Sequence, residues 1–183
     1  MYPVYTITAT SGETEKTMKN RRQLEAGFTL VELLIVMSVI LIIITAAIPQ
    51  ITKVHKNADE LSAKQSVRTI VQAEIQYSSS YPTNGFACSL AALGGDPSSG
   101  APTAQSAQLI PSDLASGQKA GYTFAITNCT KVNVNNQDVY TSYEVTAVPQ
   151  AIGKTGDQGY CADENNQIRY DPAGGTSCTA LVQ

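Results

Sequence analysis

Residues 28–48 read FTLVELLIVMSVILIIITAAI, from Phe28 to Ile48. At about 1.5 Å of rise per residue the run makes roughly 31 Å of helix, the thickness of a bilayer's hydrocarbon core. One charge interrupts it, Glu32, four residues after Phe28. A carboxylate at a bilayer centre costs about 2.5–3.5 kcal/mol on insertion scales, and less nearer the interface. Glu32 therefore asks for a role and a partner. Upstream, Lys19, Arg21 and Arg22 stand just before the apolar run, a cytoplasmic-side flank by the positive-inside rule. Two fates fit these residues: an ordinary secretory signal, cut behind the run near Ala46 and Ala47, or a segment kept in the mature protein.

The chain has 183 residues and a net charge of −3, length for one domain with a core of its own. No basic run marks a nucleic-acid surface, and none is expected to bind. From Thr83 onward four basic residues face eight acidic ones, which reads as solubility. The four cysteines, Cys88, Cys129, Cys161 and Cys178, all follow the apolar run, in the part this topology exports. An even count there implies disulfides, with three connectivities open, and no CxxC or CxxH pair offers zinc a site. The sequential pairing, Cys88 with Cys129 and Cys161 with Cys178, closes the shortest loops.

The stretch Gly27-Phe28-Thr29-Leu30-Val31-Glu32-Leu33-Leu34-Ile35-Val36 resembles the prepilin peptidase recognition segment of type IV pilins and of the pseudopilins of type II secretion systems. The resemblance is strong over Arg21 to Pro49 and weaker beyond. It implies a cut between Gly27 and Phe28, ahead of the apolar segment, and N-methylation of the new Phe28 amine by the same peptidase. The apolar helix is then retained as membrane anchor and polymerisation helix. Such an amine has an ordinary pKa near 7.7–8.0 and is mostly cationic at neutral pH, a counter-charge for Glu32 within the subunit or from a neighbour. The competing reading makes Glu32 a helix-start acid favoured by the macrodipole.

Pro49 lacks an N–H, so a continuous helix loses a bond there and is expected to bend. By resemblance, such a bend belongs to filament assembly, although Leu41 stands where a glycine often accompanies the proline. Beyond it, Ile51, Val54, Ala58, Leu61, Val67, Ile70, Val71 and Ile75 recur near the spacing of one helical face, predicting a half-buried helix that ends near Tyr77 to Pro82. The only histidine, His55, sits between lysines on the solvated face, and Tyr77, Tyr81 and Phe86 read as packing where helix meets head.

Thr83 to Ala120 reads as a long, mostly irregular connection with a short helix around Ser89 to Leu93. Strands are expected at Tyr122–Thr127, Val139–Val148 and Gln167–Tyr170, with turn-rich stretches between them, Asn133 to Asp138 included. Gly117 to Phe124 and Ala162 to Tyr170 resemble strand and hairpin segments of pilin heads. The fold implied is α+β: a long N-terminal helix packed on an antiparallel sheet, closed by a disulfide-bonded C-terminal loop. The expected divisions are a leader at 1–27, a transmembrane and polymerisation helix at 28–49, its amphipathic half at 50–82 and a head at 83–183.

No phosphate loop, catalytic carboxylate pair or nucleophile constellation is present, so no enzyme activity, catalytic residue or cofactor is expected. Asp157, Asp163, Glu164, Asn165 and Asp171 supply oxygen atoms, and the likeness to pseudopilins raises calcium, but the EF-hand pattern is missing and a solvated acidic turn is preferred. Asn128-Cys129-Thr130 fits a glycosylation sequon whose middle residue is a disulfide candidate. The function expected is that of a structural pilin, with a type II secretion pseudopilin as the alternative and a secreted binding domain as a third class. The partners implied are prepilin peptidase, the inner-membrane assembly platform, membrane lipid and copies of the chain in a helical filament. The implied location is the inner membrane before assembly and the cell exterior after it.

Overall fold

The computed structural model describes residues 27–182, leaving aside the side chains of residues 46–49. Residues 1–26 of the expected leader lie outside the described residues, as does the Pro49 ring on which the expected bend rests. The chain divides into two compact units, Met1–Ile42 and Ile43–Gln183. The first contains, among described residues, the start of helix α1, Leu30–Ser80. The second contains the rest of α1 and the head.

Within the second unit the head is a six-stranded, wholly antiparallel sheet in sequential order: β1 Gln118–Lys119, β2 Tyr122–Val134, β3 Gln137–Pro149, β4 Gly159–Asp163, β5 Ile168–Asp171 and β6 Ala180–Leu181. The connection from α1 carries two short helices, α2 Leu90–Leu93 and α3 Ser112–Ala115, and a 3-10 turn at Pro97–Ser99. Ser89 caps α2 by accepting from the Ala92 N–H at 3.2 Å. This is the α+β arrangement expected, a long N-terminal helix followed by an antiparallel sheet, and it is consistent with the type IV pilin fold.

The core lies between α1 and the sheet. Ala63, Val67, Ile70, Val71 and Tyr77 pack with Tyr122, Phe124, Tyr143, Val145, Ala147, Tyr160 and Ala162, while Leu90, Leu93, Ile110 and Leu114 of the connection close one side. Alternation explains the strand residues, because Tyr143, Val145 and Ala147 are spaced by two along β3 and so share one face. Phe86 stacks edge-on against Tyr143 with ring centroids 4.8 Å apart, and Tyr77 lies 4.9 Å from Tyr81.

The buried face of α1 differs from the expected one. Val67, Ile70 and Val71 are buried, but Ile51, Val54, Ala58, Leu61 and Ile75 are exposed. The buried stripe runs instead through Ala63, Ser66, Val67, Ile70, Glu74 and Tyr77. Apolar spacing near 3.6 thus marked two stripes, of which only one meets the head.

The sheet also exceeds the expected strands. β2 continues seven residues past Thr127, and the stretch Asn133–Asp138 turns over in only two residues, Asn135 and Asn136, at φ 52° and 66°. Both positive angles give the mirror-image turn that suits strand twist, which Asn tolerates better than most residues. The β1–β2 hairpin turns likewise through Ala120 and Gly121. β4 was not among the strands expected from residue pattern, although the hairpin resemblance at Ala162 to Tyr170 overlaps its end; its Tyr160, Cys161 and Ala162 are fully buried, so it lacks the polar alternation of a half-exposed strand.

Two disulfides staple the head. Cys88–Cys129 ties the connection after α1 to a bulged part of β2, and Cys161–Cys178 ties β4 to the C-terminal segment, at Cα separations of 6.1 and 6.0 Å. The connectivity is the sequential one.

Candidate functional site

Gly27, Phe28 and Thr29 precede α1 in non-helical backbone, and Gly27 and Phe28 are exposed. A peptidase needs an extended, reachable peptide bond, and a bond inside a helix would first have to unwind. The Gly27–Phe28 bond lies ahead of the helix and is exposed.

The helix starts for a local reason. Thr29 Oγ1 accepts from the Glu32 N–H at 3.2 Å, and the Thr29 carbonyl accepts from the Leu33 N–H, also at 3.2 Å. Thr29 is therefore the N-cap and Glu32 the third helical residue, the positions of a Thr-x-x-Glu capping box. Thr29 is the site residue that sequence reading overlooked, although its signal was in plain view: a hydroxyl three residues before an acid at the head of an apolar run. Glu32 is exposed in the first turn, where the macrodipole favours its charge.

From Leu30 to Ile44 every described apolar side chain is exposed. α1 is the one helix among the described residues long and apolar enough to cross a membrane, with a mean hydropathy of 2.9 over its most apolar stretch. A helix satisfies its interior backbone polar groups within itself, as a bilayer demands. Ser38 keeps to the same rule by donating its hydroxyl to the Ile35 carbonyl at 2.7 Å.

Residues 22–48 match the prokaryotic N-terminal methylation motif. This is the prepilin signal of type IV pilins and pseudopilins. The motif indicates a type IV pilin-like or pseudopilin precursor, and with its apolar helix it points to membrane anchoring before assembly. No curated protein and no solved structure matches the chain.

In the head, the five residues raised for calcium are not brought together. Asp157 pairs with Lys56 at 2.5 Å. Asp163 pairs with Arg169 at 2.8 Å and accepts from the Asn165 N–H. Asp171 accepts from the Ala173 and Ser177 N–H groups. Among the described residues no group of three or more acidic, His or Cys side chains could hold a metal. The Asp157, Asp163 and Asp171 carboxylates thus each have a protein partner. In the sequon, Asn128 Nδ2 donates to Glu144 Oε2 and the next residue is the disulfide-bonded Cys129. His55 is exposed and lines a groove beside Gly153 and Lys154.

Proposed function

We propose that this chain is a structural, non-enzymatic subunit that is cut between Gly27 and Phe28, methylated on the Phe28 amine, held in the inner membrane and polymerised into a type IV pilus-like surface filament. The observation that carries the reading is the methylation motif at 22–48 placed at the start of a helix that runs on to Ser80. A cut ahead of that helix leaves anchor and head on one element, whereas a cut behind the apolar run would sever them. The partners in this reading are prepilin peptidase, the assembly platform, lipid and further copies of the chain. Pairing of Glu32 with the Phe28 amine, within or between subunits, and a bend at Pro49 belong to the same proposal.

A pseudopilin of a type II secretion apparatus shares the motif and is the second reading. Two disulfides and the long connection after α1 favour the pilus. The experiment is mass spectrometry of surface-sheared material together with imaging of filaments from cells that express or lack the protein. A methylated Phe28 terminus in visible filaments is expected. A mature terminus near Ile48 or Gln50 overturns the reading, and short periplasmic assemblies with loss of secretion would transfer it to the pseudopilin.

A further inference from the structure

Where the apolar run ends, the head presents a small surface that pilin assembly does not call for. The turn Ala151–Gly156 is closed by its own hydrogen bonds. Gly153 N–H donates to the Gly156 carbonyl at 2.9 Å, Lys154 and Thr155 donate to the Ala151 carbonyl at 3.0 and 2.9 Å, and Thr155 Oγ1 accepts from the Ala151 N–H at 3.1 Å. It is fastened to α1 by two contacts through Asp157, whose carboxylate pairs with Lys56 and whose N–H donates to Glu60 Oε1 at 2.8 Å. The fastening brings Gly153 and Lys154 against Thr52 and His55, leaving a groove of about 490 Å³ between them.

The chemistry of that edge is basic and apolar. Ile152 is 64% exposed. Lys53 and Lys154 are exposed and form no salt bridge among the described residues. The nearby carboxylates Glu60 and Asp157 are engaged as described, and Asp59 lies a turn farther from the apolar run. This stands out in a chain whose residues from Thr83 onward carry twice as many acids as bases.

Chain connectivity fixes what this edge meets. Thr52 follows Ile48 by four residues, about 6 Å of helix and at most about 14 Å fully stretched. Whatever angle the backbone takes at Pro49, the turn held against Thr52 and His55 stays near the end of the membrane-spanning stretch. That is the depth of phospholipid headgroups, where Lys stems and aliphatic tips are favoured. We propose that the 151–156 turn, with Lys53, is a docking surface for anionic phospholipid headgroups, seating the head on the membrane before assembly. The inference rests on the membrane-anchored reading above. Each lysine at an anionic surface is worth about fivefold in occupancy, and Ile152 adds apolar contact below the phosphates.

The chain contains no tryptophan, so Ile152→Trp supplies a single reporter. The full chain carrying it is placed in nanodiscs of phosphatidylcholine alone or with phosphatidylglycerol, and quenching by lipids brominated near the headgroup is measured. Val132→Trp, at an exposed position of the β2–β3 hairpin, is the control. Blue-shifted emission and quenching are expected in the anionic discs, falling severalfold when Lys53→Gln and Lys154→Gln are added. Hydrogen exchange at 151–156 in the unsubstituted chain, slower in anionic than in neutral discs, tests the same point without a substitution. Quenching no greater than the Val132→Trp control overturns the proposal, as does unchanged exchange. A blue shift without bromolipid quenching means that a second copy covers the turn, and a shift driven by inorganic phosphate alone means a soluble-anion site; either result overturns it. A chain that does not enter the discs overturns the membrane reading itself, whereas one that enters with an unquenched reporter overturns only this proposal.

Discussion

Glu74, fully buried on α1, accepts a hydrogen bond from the backbone N–H of Ala87 at 2.7 Å. The contact pins the connection to the helix one residue before Cys88, beside Phe86 stacked on Tyr143. Glu74 Oε1 and Tyr143 Oη are both buried without a hydrogen-bond partner among the described residues. Burial pushes the Glu74 carboxyl up to about 8 from an ordinary 4.5, with the Ala87 N–H pulling weakly the other way. A carboxyl whose folded pKa is raised holds its proton more tightly when folded. Its contribution is therefore fully present below pH 4.5 and declines as pH rises toward 8. The decline reaches about 3 kcal/mol at pH 7. Glu74→Gln keeps an acceptor for Ala87 and cannot ionise, so it should flatten the profile and raise stability at pH 7 by up to that amount. Urea unfolding of the detergent-solubilised chain from pH 5 to 8 checks it, and an unchanged slope in the variant would show that Glu74 is not the group that titrates.

The two disulfides should differ in worth. Cys88–Cys129 spans 41 residues and Cys161–Cys178 spans 17, which in the chain-entropy account gives about 4 and about 3 kcal/mol. Replacing each pair by serine should lower the unfolding midpoint, more for the first pair, with both variants still folding at low temperature. Non-reducing peptide mapping of the exported protein should recover these two bridges, and a crossed pattern would contradict the structure.

Gly85 is a further test of the same junction. Its φ is 76°, and a Cβ there would collide with the Tyr140 carbonyl, itself hydrogen-bonded to the Phe86 N–H at 3.0 Å. Gly85→Ala should cost about 2 kcal/mol or more, through left-handed strain and displacement of that bond. A thermal melt within a degree of wild type would show that the junction is loose.

Local chemistry was legible in the sequence and partner choice was not. The apolar run, the short helix capped by Ser89 and the helix end near Ser80 each follow from neighbours in the chain. Which stripe of α1 turns inward depends on what the head offers, and Ile51, Val54 and Leu61 are as apolar as Val67 and Ile70. Glu74 was hidden because a carboxylate reads as surface unless its proton and its partner, thirteen residues on, are known. The stretch between Thr127 and Val139, Asn133 to Asp138 included, reads as turn-rich by composition, yet cross-strand pairs such as Val132 with Val139 hold most of it in β2 and β3. At the proposed processing site Gly27, Phe28 and Glu32 stood out from the motif, while Thr29 was passed over because its role is to start a helix rather than to assemble one.

Thr29 makes the role of Glu32 separable by experiment. Thr29 and Glu32 occupy the positions of a capping box; the Thr29 hydroxyl makes its cap bond, so losing that side chain weakens the helix start by about 1 kcal/mol, while Glu32 stands where the box and the helix dipole both favour an acid. Pairing of the Glu32 carboxylate with the mature Phe28 amine is a different demand, because it needs the negative charge. Glu32→Gln divides the two: glutamine serves the third position of a capping box as glutamate does, yet it cannot pair with a cation. We predict that Glu32→Ala and Glu32→Gln both insert and are cut at Gly27, since each removes a charge that opposes insertion and leaves the cleavage bond intact. Both should fail to yield normal filaments. An unpaired amine in an apolar filament core costs roughly 3–5 kcal/mol by analogy with broken buried ion pairs, and the cost recurs at every subunit. Thr29→Ala should be processed and should assemble, with only a modest fall in yield. The measurement compares processed subunit in the inner membrane with subunit in sheared filaments for the three variants and wild type. Normal filament yield from Glu32→Gln beside a loss in Glu32→Ala and Thr29→Ala would assign Glu32 to the helix cap and remove charge pairing from the assembly mechanism.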